Sequence, residues 1–217
     1  MKFWREHFEE RVKIFGDSPF SQDHKDYLSF HLTQRNLQQL IGNQGTLSIL
    51  DVGCGTGLMV EPLLPQNWVV GIDQSFTMLL LAKKKGIKVL RGEAEHLPFK
   101  DSVFDVVLGI GLLQYIEEEK MVISEMVRVL KEEGRIILTL LNAQSWLRKI
   151  IKKGGWEKLP LRLYTIKDIK NILLDLGIQQ FFYRYFLFPL PFTLCTGRFL
   201  LPLVTTFLIG GVKVCSD

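Results

Sequence analysis

The feature that most constrains this chain is an apolar run that ends in glycines at every second position. The run, residues 50–52, contains one acid, Asp51, and the glycines that follow it are Gly53, Gly55 and Gly57. Glycine adopts positive φ readily and has no Cβ to collide with a molecule that approaches the main chain. The pattern predicts a β-strand, a tight ligand-binding turn, and a helix that begins near Leu58 with free N–H groups facing the ligand.

A second apolar run predicts a neighbouring strand that ends in an acid. Residues 68–73 finish on Asp73, which lies about 20 residues after Gly53, the spacing of the ribose-binding acid in nucleotide-binding βαβ units. An alternative role for Asp73 is to cap the following helix, but Ser75 is also a good capping residue. We therefore predict that Ser75 begins the helix and leaves Asp73 free to bind a ribose.

A dinucleotide fold uses the same turn and the same kind of acid, so a nicotinamide-dependent oxidoreductase is an alternative. Its glycines are spaced Gly-x-Gly-x-x-Gly, whereas the third glycine here follows after one residue, Thr56. An acid, Asp51, also precedes the loop, and another, Glu93, follows the third predicted strand. Adenosine without a pyrophosphate fits this pattern better than NAD.

Four sequence blocks in a fixed order give the chain a family resemblance. They are residues 50–57, residues 71–73, the block Gly92-Glu93-Ala94-Glu95-His96-Leu97-Pro98-Phe99, and Arg128-Val129-Leu130-Lys131 before Gly134. Together they resemble class I S-adenosylmethionine-dependent methyltransferases of the type 11 group, in which the ubiquinone and menaquinone C-methyltransferases are found. The resemblance covers about residues 47–140.

This resemblance implies that the loop binds S-adenosylmethionine, and it gives each matched acid a role. Asp51 is expected to organise the methionine end of the cofactor, Asp73 to bind both ribose hydroxyls, and Glu93 to meet the adenine amino group. One carboxylate suits a diol because charge-assisted hydrogen bonds are about twice as strong as neutral ones. Glu93 replaces the commoner aspartate, so two alternatives stay open: its longer side chain reaches the adenine edge differently, or it points to solvent. The remaining expected cofactor contacts are Cys54, Gln74, Ala94, Gly109 and Ile110.

The acceptor site is expected beyond the fourth predicted strand, residues 104–110. Gln114 and Tyr115 stand where relatives often carry histidines near the acceptor, so we predict that they position it, with core packing as the alternative for Tyr115. A tyrosine with an ordinary pKa of about 10 is a poor base at neutral pH. His96 is interpreted as a loop residue and not as a catalytic base. A strong base is not needed, because alignment contributes about 7–11 kcal/mol and a general base about 3–5 kcal/mol.

Composition bounds the class of protein. The 217 residues are 47% hydrophobic, which is enough for one domain with a buried core, and the net charge of +4 is too small to indicate a nucleic-acid partner. The three cysteines and four histidines have neither metal-binding nor disulfide spacing. The charged first residues lack the apolar region of a secretory signal, so we expect a cytoplasmic protein.

Strands and helices alternate through the central part of the chain, which predicts an α/β fold. We expect a Rossmann-like, seven-stranded, mostly parallel sheet with helices on both faces, closed by an antiparallel pair at residues 178–188 and 208–214 as in relatives of this fold. Within this single domain, residues 1–45 are expected to form an N-terminal helical cap over the cleft, residues 46–142 the cofactor-binding core, and residues 143–217 the acceptor side.

The C-terminal third is unusually apolar. Residues 181–214 carry only three charged side chains, but prolines interrupt the run, and no charge-free part reaches the roughly 18 residues of a spanning helix. We predict an apolar flap at residues 189–207 near the pocket, with shallow membrane contact left open. Residues 146–153 are apolar and basic, for which an acceptor lid, a membrane-surface helix and a solvated helix all stay open.

These features predict methyl transfer from S-adenosylmethionine to a small apolar or aromatic acceptor that is quinone-, lipid- or phenol-like. Alignment and desolvation are expected to drive the reaction without a metal. A cofactor-binding module without turnover, acting through a partner docked on the apolar tail, is the alternative from another class of protein. No sequence pattern sets an oligomeric state.

Overall fold

A computed structural model describes residues 6–7, 9–10, 27–42, 45–145, 161–187, 192–194 and 206–214. Its strands are β1 (Ser48–Val52), β2 (Trp68–Asp73), β3 (Lys88–Arg91), β4 (Phe104–Ile110), β5 (Leu130–Leu141), β6 (Ile178–Leu187), β7 (Phe192–Leu194) and β8 (Thr206–Lys213). Its longer helices are α1 (Tyr27–Ile41), α2 (Phe76–Lys84), α3 (Glu119–Val129) and α4 (Ile166–Asp175). Short 3-10 turns lie at Glu61–Leu63 and Leu113–Tyr115.

The described strands form one sheet in the order β3-β2-β1-β4-β5-β8-β6-β7. Strands β1 to β5 pair in parallel, whereas β8 pairs antiparallel with both β5 and β6. The predicted mostly parallel, Rossmann-like sheet with a closing antiparallel pair is confirmed, and β6 and β8 are that pair. A further strand of three residues, β7, extends the sheet at the β6 edge beyond the seven predicted strands.

One edge of the sheet collects the ends that matter for function. The carboxyl ends of β1, β2 and β4 lie at this edge, which we call the carboxyl edge of the sheet, because these strands are parallel. Strand β6 runs in the same direction as β5, since each is antiparallel to β8, and Thr206 at the start of β8 pairs with both Leu141 and Phe186. The chain therefore leaves β6 and enters β8 at the edge that carries the glycine loop. Residues 146–153 and most of the predicted flap lie outside the described residues.

Helices cover both faces of the sheet, as predicted. On one face, the fully buried Ile123 of α3 and Leu173 of α4 share a core with Leu50 of β1. On the other face, Leu37 of α1 and Ala82 of α2 belong to a second core. Each face of the sheet thus has its own hydrophobic core, and the strands lie between them.

Helix α1 is the main described part of the predicted N-terminal cap. Its Leu37 and Ile41 are buried against the sheet, and Arg135 of β5 donates from Nη1 to the Leu40 carbonyl at 2.8 Å. Gln34 donates from Nε2 to the Leu58 carbonyl at 2.9 Å. The helix is therefore joined both to the sheet and to the segment after the glycine loop, while a cap over the cleft stays a prediction.

The helix predicted to begin near Leu58 is wrong. The segment forms turns, in which Glu61 N donates to the Gly57 carbonyl at 3.0 Å, followed by the 3-10 turn. Pro62 and Pro65 explain the difference, because proline has no N–H with which to continue the hydrogen bonds of a helix. The row of free N–H groups expected from a helix start is consequently not formed in this segment.

Helix α2 begins at the predicted residue, and α4 begins with a similar local feature. Ser75 caps α2, with its Oγ accepting the Met78 N–H at 3.4 Å, and Gly86 beyond the end has a φ of 90°. Thr165 and Asp168 form a reciprocal capping box at the start of α4. Both starts place a short polar side chain on N–H groups that the helix itself leaves without a partner.

Candidate functional site

The turn after β1 requires glycine for two separate reasons. Gly53, Gly55 and Gly57 have φ values of 72°, 54° and 78°, which side chains other than glycine rarely adopt. Space is also limited, because a Cβ on Gly53 would lie 2.7 Å from Leu112 Cδ1, and one on Gly57 would overlap Ile87. The tight turn predicted from the glycine spacing is confirmed.

Asp73, at the end of β2, holds this glycine loop in place. Cys54 N donates to the Ile72 carbonyl at 3.1 Å, and Gly55 N donates to Asp73 Oδ2 at 2.9 Å. Asp73 Oδ1 accepts the Ser75 N–H at 2.8 Å. The expectation that Ser75 leaves Asp73 free is therefore wrong, since the capping residue binds the carboxylate through its own N–H. Each carboxylate oxygen accepts more than one hydrogen bond, so Asp73 retains acceptor capacity for a ligand.

Asp51 is the most unusual side chain of the site. It is 2% exposed, and its buried Oδ1 has no hydrogen-bond partner within the described structure. Burial, followed by the charge of Asp73, raises the pKa of Asp51 from 3.8 to about 8. A buried acceptor without a donor costs free energy. A ligand with a cationic N–H group, such as the ammonium of an amino acid, therefore fits this oxygen.

Burial shifts two neighbouring groups in the same direction. It raises the pKa of Asp73, although the N–H groups of Ser75 and Gly55 oppose the shift. Burial, then the charges of Asp51 and Asp73, raises the pKa of the Cys54 thiol. A Cβ on Gly71 would lie 2.6 Å from Cys54 Sγ, which shows how closely the thiol packs. Cys54 is therefore a neutral packing side chain and is not suited to be a nucleophile.

The loop after β3 lies beside β2, because Gly92 N donates to the Asp73 carbonyl at 3.1 Å. Glu93 in this loop is exposed, whereas Ala94 is buried. Sequence reasoning missed Glu95, whose Oε2 is, with Asp51 Oδ1, one of two buried side-chain oxygens without a partner in the described part of the chain. The only feature that pointed to it is its place in the same block as Glu93.

An arginine that sequence reasoning left without a role fixes this loop. Arg128 of α3 donates to the carbonyls of Leu97 at 2.9 Å and Phe99 at 2.8 Å. It also pairs with Glu125 and Asp101, each at 2.6 Å. Glu125 Oε2 in turn accepts the Leu97 N–H at 2.8 Å. The fourth sequence block thus positions the loop that belongs to the third.

The remaining predicted cofactor contacts lie at the carboxyl edge. Gln74 follows β2, and its carbonyl accepts the Arg91 Nε–H at 3.0 Å. Gly109 and Ile110 are the last residues of β4. The next residue, Gly111, has a φ of 65° and donates its N–H to Thr139 Oγ1 at 2.7 Å. The chain therefore turns sharply as it leaves β4.

The predicted acceptor residues follow this turn. Gln114 and Tyr115 are half-buried and belong to the 3-10 turn. Leu112, just before them, packs on Gly53, which brings this turn next to the glycine loop. The structure thus gathers the predicted cofactor and acceptor residues at one edge of the sheet.

In the described ranges, no helix is long and apolar enough to cross a membrane, and no group of three or more His, Cys, Asp or Glu side chains could hold a metal ion.

Comparison with known proteins gives both a family and relatives. Residues 50–138 match the family model described as a methyltransferase domain. An uncharacterised protein of Methanocaldococcus jannaschii is 35% identical over 137 residues, which are 60% of this chain and 64% of that protein. A demethylmenaquinone methyltransferase of Lactococcus lactis is 36% identical over 146 residues, which are 59% of this chain and 58% of that protein. The chain therefore spans less than two thirds of the length of these relatives.

Solved structures share the fold over nearly the whole chain. An S-adenosylmethionine-dependent methyltransferase of Thermotoga maritima has a TM-score of 0.79 at 22% identity, with 96% of this chain and 99% of that one covered. Magnesium protoporphyrin IX methyltransferase of Synechocystis, crystallised with S-adenosylhomocysteine, has a TM-score of 0.74 at 18% identity, with 98% and 99% covered. At these identities the likeness establishes the fold.

Proposed function

We propose that this chain transfers a methyl group to a small apolar or aromatic acceptor. Through the methyltransferase domain of residues 50–138, it belongs to the class I S-adenosylmethionine-dependent methyltransferases. An acceptor atom bonds to the methyl carbon while the sulfur–carbon bond breaks, its electron pair stays on sulfur, and the acceptor releases a proton to solvent. S-adenosylmethionine, the cofactor of the family, supplies the activated methyl group. The observation that carries the proposal is the buried, unpartnered Oδ1 of Asp51 directly before the glycine loop.

The donor side is assigned to acids and backbone at the carboxyl edge. Asp51 Oδ1 accepts from the ammonium of the methionine end, which supplies the donor that this oxygen lacks. Asp73 accepts from the ribose hydroxyls, and its carboxylate is oriented beforehand by N–H groups of Gly55 and Ser75. Glu93 and the backbone of Ala94 meet the adenine, and the backbone of Gly109 and Ile110 lines the amino-acid end.

The acceptor is proposed to be quinone-, lipid- or phenol-like because the chain beside the site is apolar. Residues 188–205 contain a single charged side chain, Arg198. This segment joins β6 to β8, and both of its ends lie at the carboxyl edge. An apolar sequence between two strand ends at this edge favours an apolar acceptor. The demethylmenaquinone methyltransferases among the relatives support the same class of acceptor.

Catalysis is proposed to rest on alignment and exclusion of water. Gln114 and Tyr115 lie beside the glycine loop through Leu112, so they can orient an acceptor against the donor. Alignment of this kind contributes about 7–11 kcal/mol in favourable cases. An acceptor already activated by ring hydroxyls loses its proton to water without a strong base in the site.

Methyl transfer is tested with S-adenosylmethionine that carries a tritiated methyl group. The purified protein is incubated with a reduced naphthoquinol, a simple phenol or phospholipid, and solvent-extractable tritium is compared with S-adenosylhomocysteine formed. We expect equal amounts of both products with the naphthoquinol. Asp73→Asn should abolish turnover, whereas Asp175→Asn, at an exposed carboxylate that ends α4, should retain it.

The alternatives give different results in the same preparation. Tight binding of S-adenosylhomocysteine without methyl transfer to any of the three acceptors would favour a cofactor-binding module that acts through a partner. Binding of NADH in preference to S-adenosylhomocysteine would refute the proposed donor.

A further inference from the structure

The segment that carries the acceptor residues has little structure of its own. Residues 111–117 contain one 3-10 turn, in which Tyr115 N donates to the Leu112 carbonyl at 3.0 Å and Ile116 N to the Leu113 carbonyl at 3.2 Å. A 3-10 turn of three residues is too short to fix its own orientation. The position of Gln114 and Tyr115 therefore depends on contacts from elsewhere in the chain.

Several of these contacts come from residues 162–164, which are distant in sequence. Tyr164 is 6% exposed, and its hydroxyl donates to the Leu113 carbonyl at 2.9 Å. The backbone N–H of Arg162 donates to the Gln114 carbonyl at 3.0 Å. We call residues 111–117 the acceptor turn. Two of its successive carbonyls thus accept hydrogen bonds from one short strand-like segment, residues 162–164.

The Arg162 side chain extends this contact to the end of the turn. Its Nη1 donates to the carbonyl of Ile116 at 3.1 Å and also to that of Glu117. It pairs with Glu119, the first residue of α3, at 2.6 Å. The Arg162 side chain is 44% exposed, so this ion pair alone contributes little. The buried Tyr164 hydroxyl is the stronger part of the contact.

Tyr164 is also joined to the sheet. Its N–H donates to the Leu141 carbonyl at 2.9 Å, and its own carbonyl accepts the Ala143 N–H at 2.9 Å. The residue therefore connects the end of β5 to the acceptor turn after β4. Burial, followed by the charge of Glu119, raises the pKa of Tyr164 to about 12. Its hydroxyl consequently remains a hydrogen-bond donor throughout the ordinary pH range.

We propose that Tyr164 is a positioning residue for methyl transfer, which fixes Gln114 and Tyr115 against the carboxyl edge without touching the cofactor. The inference rests on the proposed function for its kinetic consequence. Its structural consequence, a fixed acceptor turn, does not depend on the identity of the acceptor. Donor binding and acceptor positioning are then separable, because the donor acids lie on β1 and β2 and in the loop after β3.

The proposal is tested with Tyr164→Phe and the matched control Tyr183→Phe. Tyr183 of β6 packs on the same core and stacks with the rings of Phe181 and Tyr185, so loss of its hydroxyl serves as a comparison. With tritiated S-adenosylmethionine and the naphthoquinol, Tyr164→Phe should lower kcat/KM for the acceptor about 5- to 20-fold, the effect of one lost buried hydrogen bond. The Kd for S-adenosylhomocysteine should change less than about twofold, as an intact donor side requires.

Hydrogen exchange tests the positioning without any acceptor. In Tyr164→Phe, amides of residues 111–117 should exchange about fivefold faster, with or without S-adenosylhomocysteine, while amides of residues 53–58 stay as in the wild type. Equal exchange in the two proteins, or an equal loss of acceptor and cofactor affinity, would overturn the inference. If the wild type binds S-adenosylhomocysteine but methylates no acceptor, the proposed function fails while the exchange result still decides the role of Tyr164.

Discussion

Replacement of Asp51 by asparagine should make the free protein more stable and the complex weaker. Burial raises the pKa of Asp51 from its ordinary value of 3.8 to about 8, so its carboxyl group is neutral in the folded protein at pH 7. In the unfolded chain the same group is ionised at pH 7, which is roughly three pH units above its ordinary pKa. Each unit corresponds to ~1.4 kcal/mol, so the unfolded state gains ~4 kcal/mol from ionisation that the folded state cannot match. Asparagine removes this difference but buries an amide, which costs ~1–3 kcal/mol. We expect a net stabilisation of about 1–3 kcal/mol.

The sign of the effect sets its pH dependence. A carboxyl with a raised pKa in the folded state destabilises the protein progressively as the pH rises from about 4, where the unfolded chain begins to ionise, to about 8. Asp51→Asn should therefore match or fall slightly below the wild type in stability at pH 4 and exceed it most at pH 8. Urea unfolding of the free protein at pH 4, 6 and 8 measures this difference, with Asp175→Asn as the surface control.

Cofactor binding should respond in the opposite direction. Asparagine cannot offer a charged acceptor to an ammonium group, and loss of one charge-assisted hydrogen bond corresponds to ~1.5–3 kcal/mol, or about 10- to 150-fold in Kd. Calorimetric titration of S-adenosylhomocysteine at pH 7 measures the loss. A stability difference that is independent of pH would contradict the raised pKa of Asp51. Equal S-adenosylhomocysteine affinity in the variant and the wild type would contradict the proposed contact between Asp51 and the ammonium group.

Three further perturbations test other parts of the site. S-adenosylhomocysteine affinity should rise with pH between about 5.5 and 7.5, by up to tenfold per unit, because binding ionises Asp51 and releases a proton, which calorimetry in buffers of different ionisation enthalpy detects. Gly53→Ala should cost about 1–3 kcal/mol of stability and weaken cofactor binding, since its Cβ would meet Leu112, whereas Gly45→Ala, with φ of 87° and no atom within 4 Å, isolates the backbone strain. Arg128→Lys should lower the unfolding temperature and raise Kd several-fold, because lysine cannot bond two carbonyls and two carboxylates together.

The elements that sequence reasoning recovered are those with local causes. Strands β1 and β2 end where a glycine or an acid follows an apolar run, and the start of α2 is set by Ser75 within one turn. The wrong helix after Gly57 had a local cause as well. A helix usually follows this glycine pattern, but Pro62 and Pro65 act against one here.

The contacts that sequence reasoning missed join residues far apart in the chain. Arg128 reaches a carbonyl 31 residues away in Leu97, and Tyr164 reaches one 51 residues away in Leu113. The folded sheet brings Tyr164 and Leu113 together, because the neighbouring parallel strands β4 and β5 end at the same edge. Motif spacing predicts which residues face the cofactor, whereas it does not show which distant residues, such as Arg128 and Tyr164, hold the loops in place.

The two sides of the site are stabilised by different means, and this explains the absence of a predicted base. On the donor side, the pKa values of the buried Asp51 and the half-buried Asp73 both rise, so the free protein is less stable there than it could be. A ligand with a positive charge relieves this cost, which ties binding to charge. On the acceptor side, the Tyr164 hydroxyl donates to the Leu113 carbonyl and Thr139 Oγ1 accepts the Gly111 N–H, and these neutral hydrogen bonds set the geometry of the backbone after β4. We expect an arrangement of this kind to select a charged donor and to orient an uncharged acceptor, as the proposed methyl transfer from a sulfonium requires.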